Sequence, residues 1–252
     1  MKKRKTTNKS NSEIVTKTPL LELQGISKNF YRSSKRRQFR PALNDINLKI
    51  ERGKNYTIIG SKGSGKTVLM RVINKLLIPT AGQVIFKGHP FNTAKAPFFR
   101  NRKFVIKAKE RIAFLPEQSF LNPEFTLAMY LDFYNKAFSN FNRPNAENLL
   151  AQNSINIYRK NSELTAGERQ LSRIILTISR KADLYLLDEP QKDLTDNQLS
   201  WFISKIQTLP NGDQSENLQQ KPSVLITTES QELCQKLSSE TIRIEEGVLY
   251  AK

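Results

Sequence analysis

The octapeptide GSKGSGKT, Gly60 to Thr67, follows the short apolar run NYTIIG and precedes VLMRVINKLL, whose apolar residues recur at helical spacing. It matches G-x-x-x-x-G-K-[S/T] in full, and a strand before it with a helix after it is the setting in which this pattern holds phosphate. Strand, curl and helix in that order commit the segment to an α/β layer. Gly60, Gly63 and Gly65 let the backbone curl, so that the amides of a loop that also contains Ser61 and Ser64 aim at phosphate oxygens, with the positive end of the next helix behind them. Lys66 then bridges the β- and γ-phosphates, and the Thr67 hydroxyl takes Mg²⁺. DLYLLDEP, Asp183 to Pro190, reads as a buried strand that delivers Asp188 toward the Mg²⁺ shell and sets Glu189 beside it, where a carboxylate can polarise an attacking water.

The rest of the chain supports the same layer. Apolar strands (NYTIIG, RIAFLP, DLYLLDEP, VLIT) alternate with helical patterns, which predicts a parallel sheet covered on both faces. Alternation in LLELQGISKNFY, ALNDINLKI and TAGQVIFKGHPF predicts an antiparallel sheet at the N-terminal side, with RSSKRRQFR as a charged loop. TIRIEEGVLY reads as a closing hairpin, and the basic stretch around Pro97 as a loop. Residues 1–18 read as a flexible basic tail and 19–252 as one domain, with an inserted helical lobe from about 126 to 160 that is broken at Pro144.

Composition excludes several classes. One cysteine and one histidine leave no disulfide framework and no zinc spacing. No apolar run approaches the ~20 residues of a membrane-spanning helix, so a cytoplasmic protein is expected. The excess of 41 Lys and Arg over 23 Asp and Glu, +18 in all, favours polyanionic surroundings: nucleic acid, nucleotide or an anionic membrane surface.

The order GSKGSGKT, LPEQ, LTAGERQ, YLLDEP resembles the nucleotide-binding subunit of an ABC transporter, whose signature loop typically reads LSGGQ. The resemblance covers roughly residues 20 to 250. It implies a P-loop core that binds ATP with Mg²⁺, a head-to-tail dimer with a second ATP-binding subunit, identical or not, and a separate integral-membrane permease. In such a dimer Thr165 and the Gly167 backbone touch the nucleotide of the other subunit. The adenine-stacking aromatic falls on Phe30, with Tyr31 a near competitor. The glutamine loop falls on LPEQ, where Glu117 fills the usual slot and Gln118, the implied Mg²⁺ contact, comes one residue later. PEQSFLNPEFTLAMYLDFY and the short helical insertion resemble the exporter branches.

The departures from the pattern are specific. The histidine that usually ends the VLIT strand is replaced by Glu229, SALD by KDLT, and the arginine after the signature by Gln170 and Leu171. A glutamate beside a γ-phosphate would have to point away or carry a proton. Binding parts are thus intact while hydrolytic parts are mixed. The expected function is an ATP-binding subunit that hydrolyses slowly, with Glu189 as general base, on the inner face of the cell membrane and driving export. The alternatives are a regulatory subunit without turnover, or an ATPase on nucleic acid, which such a short chain disfavours.

Overall fold

The computed structural model describes residues 18–33, 38–94, 102–118, 121–209, 221–237 and 239–251, without the side chains of 31–40 and 251. The expected tail falls almost wholly outside the described residues. Strand β1 (Leu21–Ser33) pairs antiparallel with β2 (Gln38–Ile50), and Leu21 faces Ile50 while Leu23 faces Leu48. The hairpin runs further than the charged sequence suggests: backbone pairing continues through Tyr31 opposite Phe39 and ends at Ser33 opposite Gln38. An antiparallel ladder with one wet face tolerates such polar residues.

Next come β3 (Asn55–Ile59), α1 (Lys66–Ile73), β4 (Ala81–Phe86) and β5 (His89–Thr93). Helix α2 (Arg102–Glu110) stands within the stretch expected to be a basic loop. The lysines masked its period: Phe104, Val105 and Ala108 share one face and pack on the core, and the charges take the other. After β6 (Ile112–Leu115) come α3 (Leu127–Ala137) and α4 (Arg143–Gln152). Pro144 opens α4 rather than breaking a longer helix, and the Asn142 side chain caps it by accepting the Asn145 N–H at 3.1 Å. The remaining elements are α5 (Ala166–Ile178), β7 (Leu184–Asp188), α6 (Asp196–Thr208), β8 (Ser223–Thr228), α7 (Gln231–Leu237), β9 (Glu240–Glu245) and β10 (Val248–Ala251). Among the described residues no helix is long and apolar enough to cross a membrane.

Two sheets result, β2-β1-β4-β5 and β10-β9-β3-β8-β7-β6. The first is antiparallel; in the second every pair is parallel except the edge hairpin β9-β10. Strands β7 and β8 are buried along their whole length, with an apolar run through β7 and through Val224 to Ile226 at the centre of β8. Side chains alternate between two cores. Tyr185, Leu187, Val224 and Ile226 pack with α5 and α6 through Ile174, Ile175 and Phe202. Leu184, Leu186 and Leu225 pack with α1 and the antiparallel sheet through Leu69, Met70, Leu23 and Phe86.

An acid at the start of β7 ties the sheets together. Asp183, almost fully buried, accepts two bonds from the Arg111 guanidinium, Nε at 2.9 Å and Nη2 at 2.7 Å, and pairs with Lys87 from the β4-β5 turn at 2.5 Å. Burial alone would raise its pKa, but the bonds from Arg111 and Lys87 outweigh that and hold it below the ordinary value. Asp183→Asn should therefore cost on the order of 1–3 kcal/mol of stability at neutral pH. A carboxyl whose folded pKa is depressed contributes fully above its unfolded value and loses that contribution as pH falls through the folded one. The melting difference between parent and variant, followed by circular dichroism, should persist down to the ordinary aspartate value of 3.8 and close below it.

Candidate functional site

Three neighbouring parallel strands release their C-terminal ends side by side. β3 leads into the phosphate loop, β8 into Glu229 and β7 into Asp188 and Glu189, with Ile59 opposite Thr228 and Thr227 opposite Asp188. Such a row of carboxyl ends is where open α/β sheets place ligands. The cleft above them measures about 830 Å³ and is lined, among others, by Phe30, Gly63, Lys66, Thr67, Glu189 and Glu229.

The loop curls because Gly65 sits at φ 110°, and a Cβ there would stand 2.6 Å from the Ala42 carbonyl oxygen. Helix α1 begins at the next residue, so its unpaired N–H groups open onto the loop. Lys66, only 5% exposed, is folded inward: its ammonium donates to the Gly60 carbonyl at 2.7 Å and the Ser61 carbonyl at 3.0 Å. It also faces two carboxylates, Glu189 Oε1 at 3.4 Å and Glu229 Oε1 at 3.5 Å. Glu229 therefore does not turn away from the phosphate loop; the nearest cation draws it in, and with half its side chain exposed it keeps water on its other side.

Asp188 is wholly buried and its Oδ1 accepts the Thr227 hydroxyl at 2.5 Å. Burial raises its pKa, against the pull of Thr227, Thr67 and the Glu117 N–H. Its Oδ2 has no partner of hydrogen-bond geometry among the described residues, although the Thr67 hydroxyl is close enough to support its charge. An orphaned buried carboxylate oxygen beside a hydroxyl is a hard-oxygen pair that fits Mg²⁺, which takes few protein ligands and completes its shell with water and phosphate. Glu189 is also pushed up by burial, against Gln191 and Lys66, so it is more basic than a free glutamate. It sits at φ 49°, a conformation other residues than glycine rarely adopt, and its Oε2 accepts from Gln191 Nε2 at 2.7 Å and the Glu229 N–H at 3.3 Å.

The remaining expected residues divide. Phe30 lines the cleft and is 38% exposed, with Lys28 Nζ 5.3 Å from its ring centre. The side chain of Tyr31, its competitor, lies outside the described residues. Gln118 is exposed and does not line the cleft, so the Mg²⁺ contact expected there finds no support; Glu117 lines the wall instead. Neither Ser64 nor Ser61 lines the cleft: Ser64 is buried, and Ser61 is exposed and offers its carbonyl to Lys66. Thr165 and Gly167 do not reach the cleft within one chain. Thr165 caps α5 by accepting the Glu168 N–H at 3.1 Å, while the Glu168 carboxylate takes the Thr165 N–H at 2.7 Å. That backbone bond, above all, lowers the Glu168 pKa. Gly167 has a packing reason of its own: a Cβ would stand 2.5 Å from Gln198 Oε1 and 2.9 Å from the Asp193 carbonyl.

Sequence reasoning missed four supports. Lys192 lines the cleft and pairs with Glu117 at 3.2 Å; its place in KDLT was visible, its reach was not. Gln191 and Thr227 orient the two acids, and Gln170 Nε2 donates to the Pro190 carbonyl at 2.9 Å, bracing the turn after Glu189. Nothing in their residue types marks them as parts of a site.

Comparison with known proteins bears on the whole arrangement. A family model described as ABC transporter matches residues 43–192. The chain is 27% identical over 242 residues to the lipoprotein-releasing system ATP-binding protein LolD of Wigglesworthia glossinidia brevipalpis, covering 92% of this chain and 97% of that one. It is 27% identical over 213 residues to the methionine import ATP-binding protein MetN of Staphylococcus haemolyticus, covering 82% of this chain and 58% of that one. Among solved structures, the dimeric ATP-binding cassette MJ0796 bound to ADP and Pi is similar with a TM-score of 0.74 and 20% identity, over 91% of this chain and 96% of that one, which speaks for the fold.

The left-handed backbone at Glu189 yields a stability test separate from chemistry. Glu189→Ala and Glu189→Gly both delete the carboxylate, but only glycine adopts φ 49° without strain. The glycine variant should be the more stable of the two by about 1 kcal/mol in thermal or urea unfolding. Equal stability would mean that the turn carries no strain.

Proposed function

The chain belongs to the ABC transporter family, and on that premise we propose that it is a subunit that clamps MgATP between two head-to-tail copies or sister chains and drives a separate permease toward export. The family binds ATP and its ATP-binding domains are P-loop ATPases. One observation carries the finer reading: Lys66, Thr67 and Glu189 line one cleft, with Asp188 buried beside Thr67, while the capped loop Thr165–Gly167 stays out of it, as a loop serving a partner's cleft would. Export is favoured by the relative matched along nearly its whole length, LolD, whose name describes lipoprotein release.

In this reading Phe30 stacks on the adenine and the loop amides with Lys66 hold the phosphates. Asp188 Oδ2 and the Thr67 hydroxyl hold Mg²⁺, which would supply charge neutralisation at the phosphates. Glu189, basic through burial and aimed by Gln191, takes the proton of the attacking water. Closure on the nucleotide transmits force to a permease at the inner face of the membrane, and turnover reopens the clamp.

Lys66→Ala should abolish measurable MgATP binding in calorimetry. Glu189→Gln should leave binding intact and lower steady-state turnover of the reconstituted complex by about 10²–10⁴-fold. A rate unmoved by Glu189→Gln would assign hydrolysis to another chain.

A second reading, ATP binding without turnover, is favoured by Glu229. An anion stands where a phosphate-contacting donor would be useful, and it faces Lys66 at 3.5 Å. Glu229→His separates the two. If this chain hydrolyses slowly on account of Glu229, the variant should turn over faster; if its role is only to bind, phosphate release should stay at background.

A further inference from the structure

The three donors of the Lys66 ammonium are all engaged within the protein. Gly60 and Ser61 accept two of them, and Glu229 Oε1 accepts the third at 3.5 Å. Glu189 Oε1 stands as near, at 3.4 Å, but it has no hydrogen bond there. The donor that a terminal phosphate needs from this lysine is thus the one that Glu229 holds.

The other acids of the cleft differ in what else supports them. Glu117 is paired with Lys192 at 3.2 Å. Glu189 keeps the Gln191 amide at 2.7 Å and the Glu229 N–H at 3.3 Å when Lys66 turns to a phosphate. The Glu229 carboxylate has Lys66 as its ion-pair partner, and it stands at the end of β8 between the strands that carry the phosphate loop and the acids. A group arriving there with extra negative charge both takes its cation and meets its charge. Glu229 is half exposed while Lys66 is 5% exposed, so the glutamate can move into water whereas the lysine stays.

We infer that Glu229 is a specificity-setting residue: an internal anion that competes with the third phosphate for Lys66 and so narrows the affinity gap between nucleoside triphosphate and nucleoside diphosphate. This rests on the ATP-binding reading above. Its size follows from Coulomb's law. Two like charges ~5 Å apart at an effective dielectric of about 50 repel enough to change Kd about tenfold. A diphosphate, which places no group beyond the β position, meets little of that repulsion.

Calorimetric titration of the full chain with Mg²⁺ and either a non-hydrolysable ATP analogue or ADP tests this, in the parent, Glu229→Gln and Glu232→Gln, the last removing an exposed acid of α7 that pairs with Lys236 outside the cleft. The glutamine at 229 should raise the preference for the triphosphate about tenfold, chiefly by tightening the triphosphate, while Glu232→Gln should change it by less than about twofold. An unchanged preference in Glu229→Gln, an equal gain for both nucleotides, or an equal effect of Glu232→Gln would overturn the inference while leaving ATP binding standing. A parent that binds neither nucleotide would defeat the ATP-binding reading, and this inference with it.

Discussion

The register of three strands determines where every charged group of the site can stand. β3, β8 and β7 are adjacent and parallel, so the loop that follows β3 and the acids that follow β7 and β8 leave the sheet from one edge. The three strand ends are far apart in sequence: Lys66 and Glu229 are 163 residues apart and still within 3.5 Å. A one-residue slip of β8 would turn Thr227 to the opposite face, remove the hydroxyl from Asp188 and detach the Glu229 N–H from Glu189. The bonds specific to this register, Thr227 hydroxyl to Asp188 and Glu229 N–H to Glu189, oppose that slip.

Burial at this edge works against the charge of its two acids. Asp188 and Glu189 are destabilised as anions; short-range donors offset this at Asp188, and Gln191 together with the Lys66 ammonium at 3.4 Å offsets it at Glu189. Lys66 stays in place through two backbone carbonyls, which cost nothing in mobility because they belong to its own loop. At the other end of the same strands charge is handled differently: Asp183 meets Arg111 and Lys87 directly and becomes an anchor. The sheet thus has a satisfied, rigid end and an end whose acids are held in less comfortable surroundings, the division expected between scaffold and site.

Much of this was legible because the relevant residues are set by local chemistry. The phosphate loop, the acid-tipped strand and the alternating core can each be read from spacing and residue type. The misread elements have tertiary causes. Helix α2 looked like a charged loop because only Phe104, Val105 and Ala108 reveal its inner face. Pro144 looked like a break because its role as a starter depends on the Asn142 cap and on where the preceding helix ends. Gln118 draws attention by its residue type, yet it is Glu117, one residue earlier, that lines the cleft. Glu229 was identified as unusual, but its direction depends on a lysine far away in sequence.

Gly167 shows how one residue can satisfy two demands. In the family it is implied to approach a partner's nucleotide, yet within this single chain it is already required, because the Asp193 carbonyl and the Gln198 side chain fill the space a Cβ would need. Gln198 in turn caps α6 with Thr195, and the segment from Gln191 to Asp193 carries Lys192 to the wall of the cleft. The signature helix and the loop after the acids are therefore in close contact, and Lys192 in that loop reaches across to Glu117 through an exposed ion pair at 3.2 Å.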